Sequence, residues 1–148
     1  MRRAHKLAQD MFLELGTTHG FDARRSFSRQ HPTDGVWLTP RSHGEEGGIL
    51  VAAIEVVASE SPKTILGSIA TLEIVSPALG IVLLEEEEIA RRMIAAGESR
   101  ESVDRYLNRL AESIDLQIKR SRQRLQRWTV ESLRWRHARA HRVRYNIC

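Results

Sequence analysis

The sequence predicts an α/β protein, with a mixed central sheet flanked by helices and a long helical extension rich in arginine at its C-terminal side. Three observations carry this. The run Gly48–Ile49–Leu50–Val51–Ala52–Ala53–Ile54–Glu55–Val56–Val57 is apolar, β-branched and of the length of a strand covered on both faces. A second such run, Ile81–Val82–Leu83–Leu84, follows a segment of helical spacing, which is how two parallel strands are joined. Finally, Leu107, Leu110, Ile114, Ile118, Leu125, Trp128 and Trp135 recur at near-heptad spacing.

In order, Ala4, Leu7, Ala8, Met11, Phe12 and Leu15 fall at helical spacing, and Gly16 ends that helix. Phe21 to Ser28 alternates loosely and is rich in Arg and Ser, as at a sheet edge. His31–Pro32–Thr33 breaks the chain before a short strand, Asp34–Gly35–Val36–Trp37–Leu38–Thr39. Pro40 to Gly48 is polar, carries three glycines and reads as a hairpin loop before the central run. Ser61 before Pro62 is an N-cap arrangement, and Ile65, Ile69, Leu72 and Val75 give the helix that follows an inward face. Ser76–Pro77 stops it.

Helix, strand, strand, strand, helix, strand is therefore the expected order, with the first three strands in a meander. Glu85–Glu86–Glu87–Glu88 opens a further helix that Gly97 ends, its acids complementing the N-terminal dipole. From Glu98 to about Arg144 the pattern is one long helix or two, interrupted at Ser121 and Ser132. It serves equally as a dimerising arm or as cover for the sheet. The division expected is a core over residues 1–96 and an Arg-rich helical extension over 97–148.

At 148 residues with 41% hydrophobic content the chain can bury a core by itself. No apolar segment approaches the ~18 residues of a membrane span. The start, Met1–Arg2–Arg3–Ala4–His5–Lys6, leads into an amphipathic pattern, so the expected location is cytoplasmic. Cys148 is the single cysteine, which excludes an internal disulfide and a thiolate metal site. Charge is uneven. Lys119 to Cys148 holds ten Lys and Arg against one acid, Glu131, while the remainder has thirteen basic and eighteen acidic residues. Two readings of the basic stretch stand: it meets a polyanion such as nucleic acid, or its arginines pair with acidic patches of the same or a neighbouring subunit.

Asp34 and Glu55 are the candidate chemistry. They sit on adjacent strands joined by a hairpin, and two strand-borne carboxylates held together repel unless a cation lies between them. Magnesium or manganese suits such oxygen donors. The structural alternatives are that Asp34, before Gly35, is a turn residue, and that Glu55 pairs with Arg24 or Arg25.

From about Leu7 to Leu84 the chain resembles the PD-(D/E)XK nuclease superfamily, by its order of elements and by Pro32–Thr33–Asp34 followed by Ile54–Glu55–Val56–Val57. The resemblance implies a restriction endonuclease-like αβββαβ core. It also implies Asp34 and Glu55 as metal ligands, the Val56 carbonyl as a third, and Glu14 as a first-helix carboxylate of the kind some members use. It departs where the family has lysine and this chain has Val57, which cannot stabilise charge on a phosphate. Lys63 is the nearest cation in sequence to replace it, although a helix-start lysine is more often an ordinary solvated residue.

The function so implied is a homodimeric, metal-dependent DNA endonuclease. Duplex or branched DNA would be held through phosphates by Arg120, Arg122, Arg124, Arg127, Arg134, Arg136, Arg139, Arg142 and Arg144. The alternatives are an inactive DNA-binding or assembly protein of the same fold, and a helical module that docks on an acidic partner. Glycine-rich phosphate loops, HExxH and paired cysteines do not occur in the sequence. His137 and His141, spaced i,i+4, can bind a metal or form part of the cationic surface.

Overall fold

The computed structural model describes residues 3–40, 48–58 and 61–145, with side chains described as far as residue 142. Its elements are α1 (Arg3–Thr18), β1 (Asp22–Arg24), β2 (Gly35–Leu38), β3 (Leu50–Val57), α2 (Pro62–Val75), β4 (Leu79–Leu84), α3 (Glu86–Ala95), α4 (Arg100–Arg120), β5 (Leu125–Thr129) and α5 (Val130–Tyr145). The middle of the expected hairpin loop, residues 41–47, lies outside the described residues, as do the Arg144 side chain and Cys148. Among the described residues no helix is long and apolar enough to cross a membrane.

The five strands form one mixed sheet in the order β1-β2-β3-β4-β5. β1, β2 and β3 are an antiparallel meander, and β3, β4 and β5 are parallel. β1 is shorter than expected because its pairing, Arg24 opposite Val36, runs out where β2 begins at Gly35.

Alternation along β3 and β4 divides the core into two layers. Ile54, Val56, Ile81 and Leu83 pack under α1 and α5, with Phe12, Leu15 and Leu133. Ala53, Val57, Val82 and Leu84 pack against α2, α3 and α4, with Ile65, Leu72, Ile89 and Ile114. Both parallel connections lie on the second face and step across the sheet in the same direction, so they share one hand.

α1 is pinned by Trp37. Its indole stacks on Phe12 with centroids 4.5 Å apart and donates to the Phe12 carbonyl at 2.9 Å. The ring lies so close to Gly16 that a Cβ there would be 2.3 Å from Trp37 Nε1. Leu7, placed inward by its spacing, is 49% exposed, while Gln9 is buried. Ser61 takes the N-cap of α2 with Pro62 following, though its side chain makes no capping bond, and Ser76, at φ 53°, closes the helix as a left-handed C-cap.

Of the two expectations from Glu98 to about Arg144, one long helix or two, the structure has two, and the all-helical reading is corrected by a strand between them. α4 ends at Arg120, Leu125–Thr129 is a strand beside β4, and helix resumes at Val130. Residues 97–148 thus supply the fifth strand of the sheet as well as cover for both faces.

Candidate functional site

Three strand ends meet at one end of the sheet. β3 and β4 finish together, Val57 beside Leu84, and the antiparallel β2 begins there, Gly35 opposite Ile54. Asp34, one residue before β2, Glu55, near the end of β3, and Glu85, one residue after β4, are therefore gathered at the carboxyl ends of the parallel strands. Open α/β sheets bind their ligands at this end.

Asp34 is held on both sides. Its Oδ2 accepts from the Val56 amide at 2.8 Å, and its Oδ1 lies 2.9 Å from His5 Nε2. Gln9, one turn further along α1, donates to the Asp34 carbonyl at 3.1 Å and to Oδ1 at 3.4 Å. Glu55 is 9% exposed, with the Asp34 carboxylate beside it. Burial first, then the neighbouring Asp34 carboxylate, push its carboxyl up to about 9. At neutral pH Glu55 therefore keeps its proton.

Neither carboxylate is paired with a lysine or arginine among the described residues. The arginines that would have given Glu55 a structural partner are committed elsewhere, Arg24 to Asp22 and Arg25 to Asp10.

The four glutamates after β4 divide their roles. Glu86 caps α5, accepting from the Val130 amide at 2.9 Å and the Glu131 amide at 3.2 Å. Glu87 pairs with Arg134, and Glu88 holds Arg91. Glu85 turns inward, 3% exposed, beside a pocket of about 150 Å³ shared with Ala8, Met11 and Val130. Burial, then Glu88 and Glu86, raise its pKa, with His5 opposing them. Arg92, from α3, donates to the Ala58 carbonyl just past β3.

Four buried side-chain atoms lack a hydrogen-bond partner among the described residues: Gln9 Oε1, Thr33 Oγ1, Glu85 Oε2 and Arg92 Nε. All four belong to residues that touch or adjoin this end of the sheet. Buried polar atoms are nearly always satisfied, so such a concentration marks a place built for something other than packing.

The residues expected from sequence separate here. Asp34, Glu55 and the Val56 backbone come together. Val57 is fully buried in the apolar layer beside Val82 and Leu84. Lys63 is exposed in the first turn of α2, and no bond links it to Asp34 or Glu55 among the described residues. Glu14 is not at the pair. It lies nine residues along α1 from His5, about 14 Å of helix, and meets His137 of α5 at 2.7 Å. His5, Gln9, Glu85 and Arg92 were missed. The i,i+4 pair His5 and Gln9, continued by Phe12 and Gly16, was the signal available for α1.

The arginines do not form one surface. Arg122 and Arg124 are exposed just ahead of Leu125, which pairs with Gly80, the end of β4 remote from Glu85; Arg120 closes α4. Arg127 is tied to Asp115, and Arg134 to Glu87 at the carboxylate end. Arg136 lies over Trp128 and Arg139 over Trp135, and Arg142 is exposed. No family model, curated protein or solved structure matches this chain.

Proposed function

We propose that the protein is a magnesium- or manganese-dependent DNA endonuclease of the PD-(D/E)XK type, with Asp34 and Glu55 as its metal ligands. One observation carries this reading: the Asp34 and Glu55 carboxyl groups lie together at the ends of β2 and β3, neither paired with a lysine or arginine among the described residues, and burial beside Asp34 keeps a proton on Glu55. A hard divalent cation can take that proton's place, and the donors at hand, two carboxylates and the Val56 carbonyl, are all oxygen. When bound, the metal supplies an activated water and charge neutralisation at the scissile phosphate.

The chain's own groups do the rest. Asp34 is oriented by the Val56 amide, His5 and Gln9 before any ligand arrives. His5 lies within reach of a proton on Asp34 Oδ1. Arg92, which donates to the Ala58 carbonyl just past β3, is a second candidate, with Lys63, to replace the motif lysine. Exposed arginines such as Arg122 and Arg124 would hold DNA phosphates without reading sequence.

The decisive experiment is cleavage of linear, supercoiled and four-way-junction DNA with magnesium or manganese, comparing wild type with Glu55→Ala. Metal-dependent cutting that disappears in the variant supports the proposal. The full burial of Val57 favours a second reading, a non-catalytic DNA-binding descendant, because the residue in the lysine's place is sealed in the apolar layer. Tight, salt-sensitive binding without cutting by the wild type would select it.

A further inference from the structure

Away from the carboxylate end, α1 and α5 bring Glu14, His137 and His141 together, with one ligand atom from each lying within 4.8 Å of the other two. His137 Nε2 is 2.7 Å from Glu14 Oε2, and the two imidazoles stand edge to face with centroids 5.1 Å apart. We propose that these three side chains bind a borderline divalent transition-metal ion, of which zinc is the type, and that the ion fastens the second half of α5 to α1.

Two histidines spaced i,i+4 present their rings on one helix face, and a carboxylate from a second element completes three protein ligands, leaving a fourth position to water. Ligand atoms at about 2.0–2.2 Å from a shared ion stand roughly 3.3–3.5 Å apart. His137 and Glu14 stand closer than that, at 2.7 Å, with all three ligand atoms inside 4.8 Å, and because Glu14 and His141 are exposed and His137 half-buried, their side chains have room to turn about an ion. Imidazole nitrogen selects zinc, cobalt or nickel over magnesium, so this site and the all-oxygen Asp34–Glu55 pair, which meet α1 at Glu14 and at His5, would not compete for one ion. Of the arginines on α5, Arg136 lies over Trp128, Arg139 over Trp135, and Arg134 pairs with Glu87.

α5 has reason to need such a tie. Its firmly buried residues, Val130 and Leu133, both lie in its first turn or so, and among the described side chains beyond them Ala140 packs on the core, partly buried. The proposal is independent of any nuclease activity.

The test is a titration of the metal-free full chain with cobalt(II), followed by zinc competition. The expected result is one ion per chain, a visible cobalt absorption that zinc abolishes and magnesium leaves alone, and slower amide exchange in α5 after His137 when zinc is added. His141→Ala and Glu14→Gln, both at exposed positions, should each weaken zinc by at least about 10–100-fold, with α5 no longer protected. Zinc binding undiminished in both variants, or lost instead in Glu55→Ala, would overturn the site. Binding without any change in α5 exchange would overturn its fastening role.

Discussion

The backbone amide of Val56 donates to Asp34 Oδ2 across 2.8 Å, so a side chain, in place of a backbone carbonyl, pairs with β3 one position beyond the start of β2. The same carboxylate is thus both a structural acceptor and half of the candidate site. The two roles separate by substitution. Asp34→Ala leaves a part-buried amide unpaired and is expected to cost about 1–3 kcal/mol of stability in denaturant unfolding. Asp34→Asn keeps an oxygen for Val56 and should stay near wild-type stability, yet lose metal-dependent DNA cleavage as fully as the alanine variant.

The Glu55 carboxyl, raised from 4.5 to about 9, sets a pH dependence of definite sign. The folded state holds a proton there that the unfolded chain releases, so this contribution to stability is complete at acid pH and declines as pH rises between about 4.5 and about 9. Glu55→Gln, which stays neutral, should show a flatter profile in thermal unfolding across that range. If the pair takes manganese, the proton must leave. Calorimetry at neutral pH in buffers of different ionisation heat should then report proton release on binding, and none in Glu55→Gln.

Gly16 tests how tightly α1 is seated. Alanine is a better helix former than glycine by about 1 kcal/mol, and on an open helix it would stabilise. Here its Cβ would fall 2.3 Å from Trp37 Nε1, which has to move from its stack on Phe12. Gly16→Ala should therefore destabilise by about 1–3 kcal/mol, read as a lower unfolding midpoint and a changed tryptophan fluorescence.

Glu86 and Glu87 are neighbours with unequal worth. Glu86 satisfies two amides at the start of α5, and Glu86→Ala should cost about 0.5–2 kcal/mol and speed proteolysis within α5. Glu87→Ala breaks a surface ion pair with Arg134 and should cost no more than about 1 kcal/mol.

For DNA, the salt dependence of binding distinguishes the arginines. Arg122→Ala and Arg124→Ala, at exposed positions, should each reduce the slope of log affinity against log salt by about 1. Arg127→Ala should change it less, because that guanidinium is half-buried and tied to Asp115.

Much of the fold was legible because β3 and β4 are runs of Val, Ile and Leu whose length and composition admit few alternatives. Asp34 and Glu55 were legible for a related reason, since a hairpin between neighbouring strands forces their approach. β5 was not. Leu125 and Trp128 are three residues apart and Gln126 and Arg127 between them are polar, which fits a helical face as well as a half-exposed edge strand, and only pairing with β4 decides. His5 and Gln9 escaped notice because a polar side chain on an amphipathic helix is normally solvated. Their burial comes from where α1 crosses the start of β2, a tertiary fact. Glu85 was hidden among three glutamates that look identical to it in sequence.

The place of β5 bears on how the chain is made. β4, Leu79–Gly80–Ile81–Val82–Leu83–Leu84, emerges from the ribosome well before the strand that pairs with its outer edge, with α3 and α4 synthesised between them. Over that interval the nascent chain carries an unpaired apolar strand edge, a template for pairing with another copy. A product ending near Gly97 would keep that edge permanently, and it should aggregate where the longer chain folds.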